Sequence, residues 1–187
     1  MRSLITKVFM AIVACLLCAQ TALAVDPWQY PSEKPDGKFG GGDGTEAAPF
    51  LIATAQQLAD LAYLVNDGKP FKGMHFKLTA DITLNDVNPS GIYNYEWTPI
   101  GTVGTFSDND FEGYFDGGGH TISRLYLDMH DRKSTGLFGA LYNAVVKDLT
   151  IEDSYLYGLP DENKAGMLAG YTYNTQIINC HVTNSKI

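Results

Sequence analysis

The chain has 187 residues, 45% of them apolar, a formal net charge of −8 and three cysteines. An acidic chain repels phosphate backbones, which argues against nucleic acid as a partner. The length suffices for one domain with a real core.

Residues 1–24 read as a secretory signal peptide. Arg2 and Lys7 flank a short charged region, Val8 to Leu17 is apolar, and Ala22-Leu23-Ala24 forms an A-x-A cleavage site. Ile12-Val13-Ala14-Cys15 resembles a lipobox, so a lipid anchor is the second reading; the residues after Cys15 are apolar rather than a polar linker. Losing Arg2 and Lys7 with the signal takes the net charge to −10. Cys15 and Cys18 leave too, so Cys180 has no partner for an internal disulfide. It stands where an earlier repeat copy has Leu, as a small buried hydrophobe.

Residues 25–43 are rich in Pro, Gly and charge and read as an extended leader or linker. Residues 44–187 then form one domain. Phe50-Leu51-Ile52 predicts a short strand. Thr54 predicts a helix N-cap, with Gln57 completing a capping box. Leu58, Leu61, Ala62 and Val65 form one apolar stripe, and Asn66-Asp67-Gly68 is a stop signal. Phe76 to Leu84 alternates with period two. Trp97 to Ile100 is a short strand or bend, and Phe111 to Phe115 precedes a turn at Asp116 to Gly119. Strands are expected over Thr121 to Leu127, Val145 to Ile151 and Ile177 to Val182.

The last three strands repeat. Ile122-x-x-Leu125-x-Leu127 aligns with Val146-x-x-Leu149-x-Ile151 at an offset of 24, and that with Ile177-x-x-Cys180-x-Val182 at an offset of 31. The second offset also pairs Gly139 with Gly170, Tyr142 with Tyr173, Asn143 with Asn174 and Ser154 with Ser185. Such periodicity predicts stacked coils of short parallel strands, with like residues above like. The expected inward sets are Ile122/Val146/Ile177, Leu125/Leu149/Cys180 and Leu127/Ile151/Val182. Gly136, Gly139, Gly166 and Gly170 are expected at corners, where positive φ or close backbone approach is needed. The helix is expected to cover the open N-terminal end of the stack. The chain stops just after a strand, so the domain is expected to be C-terminally incomplete.

The pieces "GTEAAPFLIATAQQLADLAYLVNDG", "FKLTADITL", "WTPIGT", "FEGYFDGGGHTISRLYLD", "GLFG" and "GMLAG" with "IINCHV" resemble the GLUG-motif family of secreted bacterial repeat proteins. They cover almost all of Gly44 to Ile187 in the family's order; Met167-Leu168-Ala169 departs from the second glycine motif. The resemblance implies an all-β fold: a right-handed parallel β-helix, here with one N-terminal amphipathic capping helix. It implies a secreted or cell-surface place, in adhesins or on the N-terminal side of IgA-cleaving metallopeptidases. It supplies no catalytic position.

Chemistry is sparse. His75, His120, His130 and His181 lack metal-ligand spacing, so no metal or cofactor is expected. Asp108, Asp110, Glu112 and Asp116 form the densest acidic stretch, best read as turn residues rather than a calcium or glycosidase site. Tyr142 and Tyr173 are expected to form a structural ladder. Tyr93, Tyr95 and Trp97, around the Asn85–Glu96 insertion, are the candidate binding residues, because loops on rigid scaffolds often carry function.

The leading reading is a non-catalytic adhesin or stalk segment that binds glycan or extracellular protein, with a membrane reached only through a lipid anchor or a missing C-terminal region. The alternative is part of a larger secreted enzyme, a polysaccharide-acting β-helix or an IgA-type metallopeptidase. A lyase on an acidic polymer needs a basic groove. Only Arg124, Arg132, Lys133 and Lys147 lie near the repeat, which favours the first reading.

Overall fold

The computed structural model describes residues 28–86, 93, 95–103, 109–129, 133–158 and 164–187. The signal peptide, the Cys15 lipobox, Asp108, His130, Arg132 and most of the Asn85–Glu96 insertion lie outside the described residues.

Among the described residues the regular structure is mostly β-strand, with one helix. Strand β1 (Phe50–Ile52) leads into helix α1 (Ala55–Asn66). Thr54 caps the helix by accepting the Gln57 N–H at 3.2 Å. Gln57 reaches back one residue further than a capping box requires, accepting from the Ala53 N–H at 2.8 Å. The stripe of Leu58, Leu61, Ala62 and Val65 is fully buried. Ala55, Ala59 and Leu64 widen it, as befits a helix seated in a core rather than lying on a surface. The helix ends where Gly68 turns left-handed at φ 88°, its N–H on the Val65 carbonyl at 2.9 Å.

Beyond α1 the chain repeats one theme. It makes β2 (His75–Leu78) and β3 (Ile82–Thr83), then β4 (Tyr114–Asp116), β5 (Thr121–Ser123) and β6 (Tyr126–Asp128). Next come β7 (Ser134–Thr135), β8 (Phe138–Tyr142), β9 (Val145–Lys147), β10 (Thr150–Glu152) and β11 (Tyr155–Tyr157). It closes with β12 (Lys164–Ala165), β13 (Ala169–Tyr173), β14 (Gln176–Ile178) and β15 (His181–Thr183). Every pairing between these strands is parallel. The sheets run β1-β2-β4-β9-β14, β3-β5-β10-β15, β6-β11, β7-β12 and β8-β13.

Inward residues stack by register. Phe76, Phe115 and Val146 form one buried column. Ile82, Ile122 and Ile151 form a second, and Leu127 with Leu156 a third. The predicted offset of 31 holds for Val146 with Ile177 and for Ile151 with Val182.

The offset of 24 does not hold. Ile122 lies over Ile151, not Val146, and Leu127 over Leu156, not Ile151, an offset of 29 in each case. Each expected long strand is in fact two short strands bent at a left-handed residue: Arg124, Asp148 or Asn179, with φ of 58°, 52° and 51°. Every bend carries the same local pattern, an apolar residue on each arm and another just past the corner. Pattern similarity therefore matched the Arg124 corner to the Asp148 corner, which belongs to a different edge. Leu125 follows the Arg124 corner, and its N–H bonds Ser154 Oγ; Leu149 and Cys180 follow the other. Leu125 and Leu149 are buried, and Cys180 packs partly buried against the core.

The glycines of the repeated motif also stand elsewhere than expected. Gly139 and Gly170 lie inside strands, and neither they nor Gly136 and Gly166 have positive φ. Of the two expected reasons it is close approach that requires them: a Cβ on Gly139 would sit 2.1 Å from the Gly101 carbonyl oxygen.

The stretch read as a leader makes no helix or strand from Trp28 to Asp43, yet it packs on the domain. Trp28 is buried, donates its indole N–H to the Leu84 carbonyl at 2.7 Å and lies 5.1 Å from Trp97. Gly40 and Gly41 exchange hydrogen bonds with Leu51 along the outer edge of β1.

Candidate ligand groove

Alternation along β2, β4 and β9 puts Phe76, Phe115 and Val146 inside and the residues flanking them outside. Parallel register then sorts the outward residues into two rows. His75, Tyr114 and Val145 make one; Lys77, Asp116 and Lys147 make the other. With Glu46 they line a groove of about 710 Å³.

The first row is an aromatic platform. The His75 and Tyr114 rings stack 4.3 Å apart and 6° from parallel. The next residue in the row is the short Val145, so the stack ends at a step, and Tyr114 remains 43% exposed. The second row alternates charge. Lys147 Nζ lies 3.0 Å from Asp116 and 3.8 Å from Asp148. Partial burial pushes the Asp116 carboxyl up, but the Gly118 N–H at 2.8 Å and the Lys147 ammonium outweigh it and hold the group below its ordinary range. The hydrogen bond to Asp116, then its charge, raises Lys147.

The three residues singled out from the sequence do not form a platform. Trp97 is fully buried; its indole N–H donates to the Leu137 carbonyl at 3.1 Å, so it is a core residue and cannot meet a ligand. Tyr95 is 37% exposed, and its ring lies 6.3 Å from Trp28. Tyr93 donates its hydroxyl to the Asp153 carbonyl and packs against Tyr126, whose ring stacks on Tyr155. The Tyr95 backbone is held by Asn85, a fully buried amide bonded to the Tyr95 carbonyl and N–H and to the Arg124 carbonyl. Tyr142 and Tyr173 stack at 5.1 Å and 8°, the ladder the repeat predicts.

Asp116 accepts from Gly118 as a turn residue should. The His120 N–H bonds the Gly117 carbonyl within the turn at 2.9 Å, while its imidazole reaches across to Asp81 at 3.2 Å. Among the described residues no three His, Cys, Asp or Glu side chains converge to hold a metal ion. No helix among them is long and apolar enough to cross a membrane.

The groove escaped sequence reasoning because its ring pair is 39 residues apart. The signal was present: His75-Phe-Lys77, Tyr114-Phe-Asp116 and Val145-Val-Lys147 share an outward–inward–outward triplet.

No family model matches the chain. It is 29% identical over 167 residues to a "Putative Gly-rich membrane protein" of Evansella cellulosilytica, a match covering 88% of this chain and 18% of that protein. It is 33% identical over 136 residues to "Halomucin" of Haloquadratum walsbyi, covering 72% of this chain and 1% of that protein. The chain thus spans under a fifth of one relative and about a hundredth of the other. Among solved structures, a putative immunoglobulin A1 protease from Bacteroides ovatus superposes with a TM-score of 0.42 and 19% identity, over 86% of this chain and 54% of that one.

Proposed function

We propose that the chain is a secreted or cell-surface segment, wound as a right-handed parallel β-helix and capped at its β1 end by α1. In this reading it is non-catalytic and binds glycan through its lateral groove. The signal-like N-terminus and a relative named as a membrane protein support the location. The parallel pairing at offsets of 29 and 31 residues supports the winding.

The observation that carries the binding reading is the His75–Tyr114 stack beside the Asp116–Lys147 pair. A sugar presents C–H groups on one face and hydroxyls at its rim. The first suit an exposed ring face, and the second suit charged side chains that accept or donate hydrogen bonds. Lys77 and Lys147 balance Glu46 and Asp116, so an uncharged sugar fits better than a uronate.

A glycan array with wild type, Tyr114→Ala and Tyr114→Phe tests this. Wild type should bind a neutral glycan. Tyr114→Ala should weaken binding about tenfold or more, roughly 1.4 kcal/mol, and Tyr114→Phe should retain it. No glycan above background, or equal binding by Tyr114→Ala, would refute the proposal.

A further inference from the structure

The ring stack in the groove has a direction. His75 and Tyr114 are register neighbours on adjacent strands, and their rings lie 4.3 Å apart and 6° from parallel. That separation is close to the strand spacing of about 4.8 Å. The rings therefore stand upright on the sheet, with their faces looking along the stack of turns. Each ring covers one face of the other. On the β1 side of His75 stands the loop before β1: Gly44 accepts the His75 N–H at 2.9 Å, and Glu46, Ala47 and Pro49 wall that end of the groove. The loop is itself fixed. Asp43 accepts from the Thr45 N–H and hydroxyl, and the Asp43 and Gly44 N–H groups share the Ala48 carbonyl. The ring face left to a ligand is the far one of Tyr114, which looks over Val145.

The same row continues past Val145. Parallel register sets Gln176 beside Val145 on the next strand, and alternation turns both outward while Val146 and Ile177 turn inward. Val145 is short and partly buried; Gln176 is exposed. Between Tyr114 and Gln176 lie two strand spacings, about 9.6 Å. One ring in contact on both faces needs about 7–8 Å, and two stacked rings would need about 11–12 Å. The gap takes one ring.

The walls of this gap are unlike each other. Tyr114 offers an aromatic face, which suits a patch of C–H bonds. Gln176 opposite offers an amide, which both donates and accepts and so suits a hydroxyl. Val145 is an aliphatic floor, and Lys147, 3.0 Å from Asp116, stands beside it on the same strand. A sugar whose hydroxyls are all equatorial carries them at its rim and has none to set against Gln176. A sugar with one axial hydroxyl, as galactose has at C4, carries C–H bonds on one face and a hydroxyl on the other.

We infer, on the reading of the groove as a glycan site, that the space over Val145 is a slot for one neutral hexopyranose bearing an axial hydroxyl. The sugar enters edge-on, its C–H face on Tyr114 and its axial hydroxyl toward Gln176, which sets the preference.

NMR titration of the full chain with methyl β-galactopyranoside and methyl β-glucopyranoside tests it. The galactoside should bind about fivefold or more tightly than the glucoside, the worth of about one hydrogen bond. Gln176→Ala should erase that preference and leave the glucoside affinity unchanged. Val145→Thr should bind as wild type does. Val145→Tyr extends the ring stack into the slot and should remove detectable binding; a sugar lying flat across the ring edges would instead gain a ring and bind more tightly. Both positions face outward, so the urea midpoints of these variants should match wild type. Binding kept or tightened by Val145→Tyr, or equal affinity for both glycosides, would overturn the slot; if Tyr114→Ala still impaired binding, the glycan reading of the groove would stand. Binding of no glycan at all would remove both. Binding of para-cresol in place of either glycoside would also overturn the slot, since the occupant would then be an aromatic side chain of a protein.

Discussion

Left-handed backbone at Arg124, Asn143, Asp148, Asp153, Asn174, Asn179 and Asn184 makes the corners of the repeating unit. Six of the seven are Asn or Asp, the non-glycine residues that tolerate φ near 50° with least strain. All six are also joined side chain to side chain, through Asn174–Asn143, Asn179–Asp148 and Asn184–Asp153. Asp148→Val adds a β-branched residue where φ is 52° and removes the bond to Asn179; it should cost about 2 kcal/mol or more. Asp148→Asn keeps both conformation and acceptor and should stay within about 0.5 kcal/mol of wild type. Urea unfolding distinguishes the two. Gly139→Ala drives a methyl into the Gly101 carbonyl and should cost about 1–3 kcal/mol, measured in the same way. The sequence pointed to the glycines, for positive φ or close approach, and only the close approach holds; it gave no sign of Asp148, Asp153, Asn179 or Asn184 as corners. Glycine was expected at the bends and an unbroken strand through Asp148, because a run of alternating apolar residues reads the same whether or not a corner interrupts it.

Among the elements, helix α1 was the most legible. Its cap, stripe and stop are local signals, and Thr54, the Leu58–Val65 face and Gly68 stand where those signals put them. Thr54→Ala should cost about 1 kcal/mol and Leu58→Ala about 2–5 kcal/mol, read from thermal or urea midpoints. The groove was illegible for the opposite reason. Its rows exist only once β2, β4 and β9 are in register, and register is a long-range property. Those rows make a pH prediction. Asp116 titrates below its ordinary value when folded, so the stability it adds is present above about pH 4 and fades as pH falls through the lowered folded value. Lys147 is raised, so its contribution is present at neutral pH and fades as pH climbs past about 10.5 through the raised folded value. Asp116→Asn should therefore flatten the acid limb of the stability–pH curve and shrink the alkaline step that depends on Lys147, which Asp148 still supports, measured by urea midpoints across pH.

At the scale of the molecule, order should fall along the stack. The middle turn, β8 to β10, has partners on both sides in β9 and β10 and buries Phe138, Val146 and Ile151 completely. The last turn has partners on one side. The β9 and β10 amides should exchange far more slowly than those of β14 and β15, as hydrogen exchange would show. The whole account depends on which residues stand above which. Disulfide trapping reads that directly. In a Cys180→Ser background, the pair Tyr126→Cys with Tyr155→Cys joins register neighbours at an offset of 29, while Tyr126→Cys with Thr150→Cys joins positions at the rejected offset of 24. Oxidation should link the first pair quickly without loss of helix signal and leave the second as free thiols. Linkage of the second pair in preference to the first would contradict the register, and the groove with it.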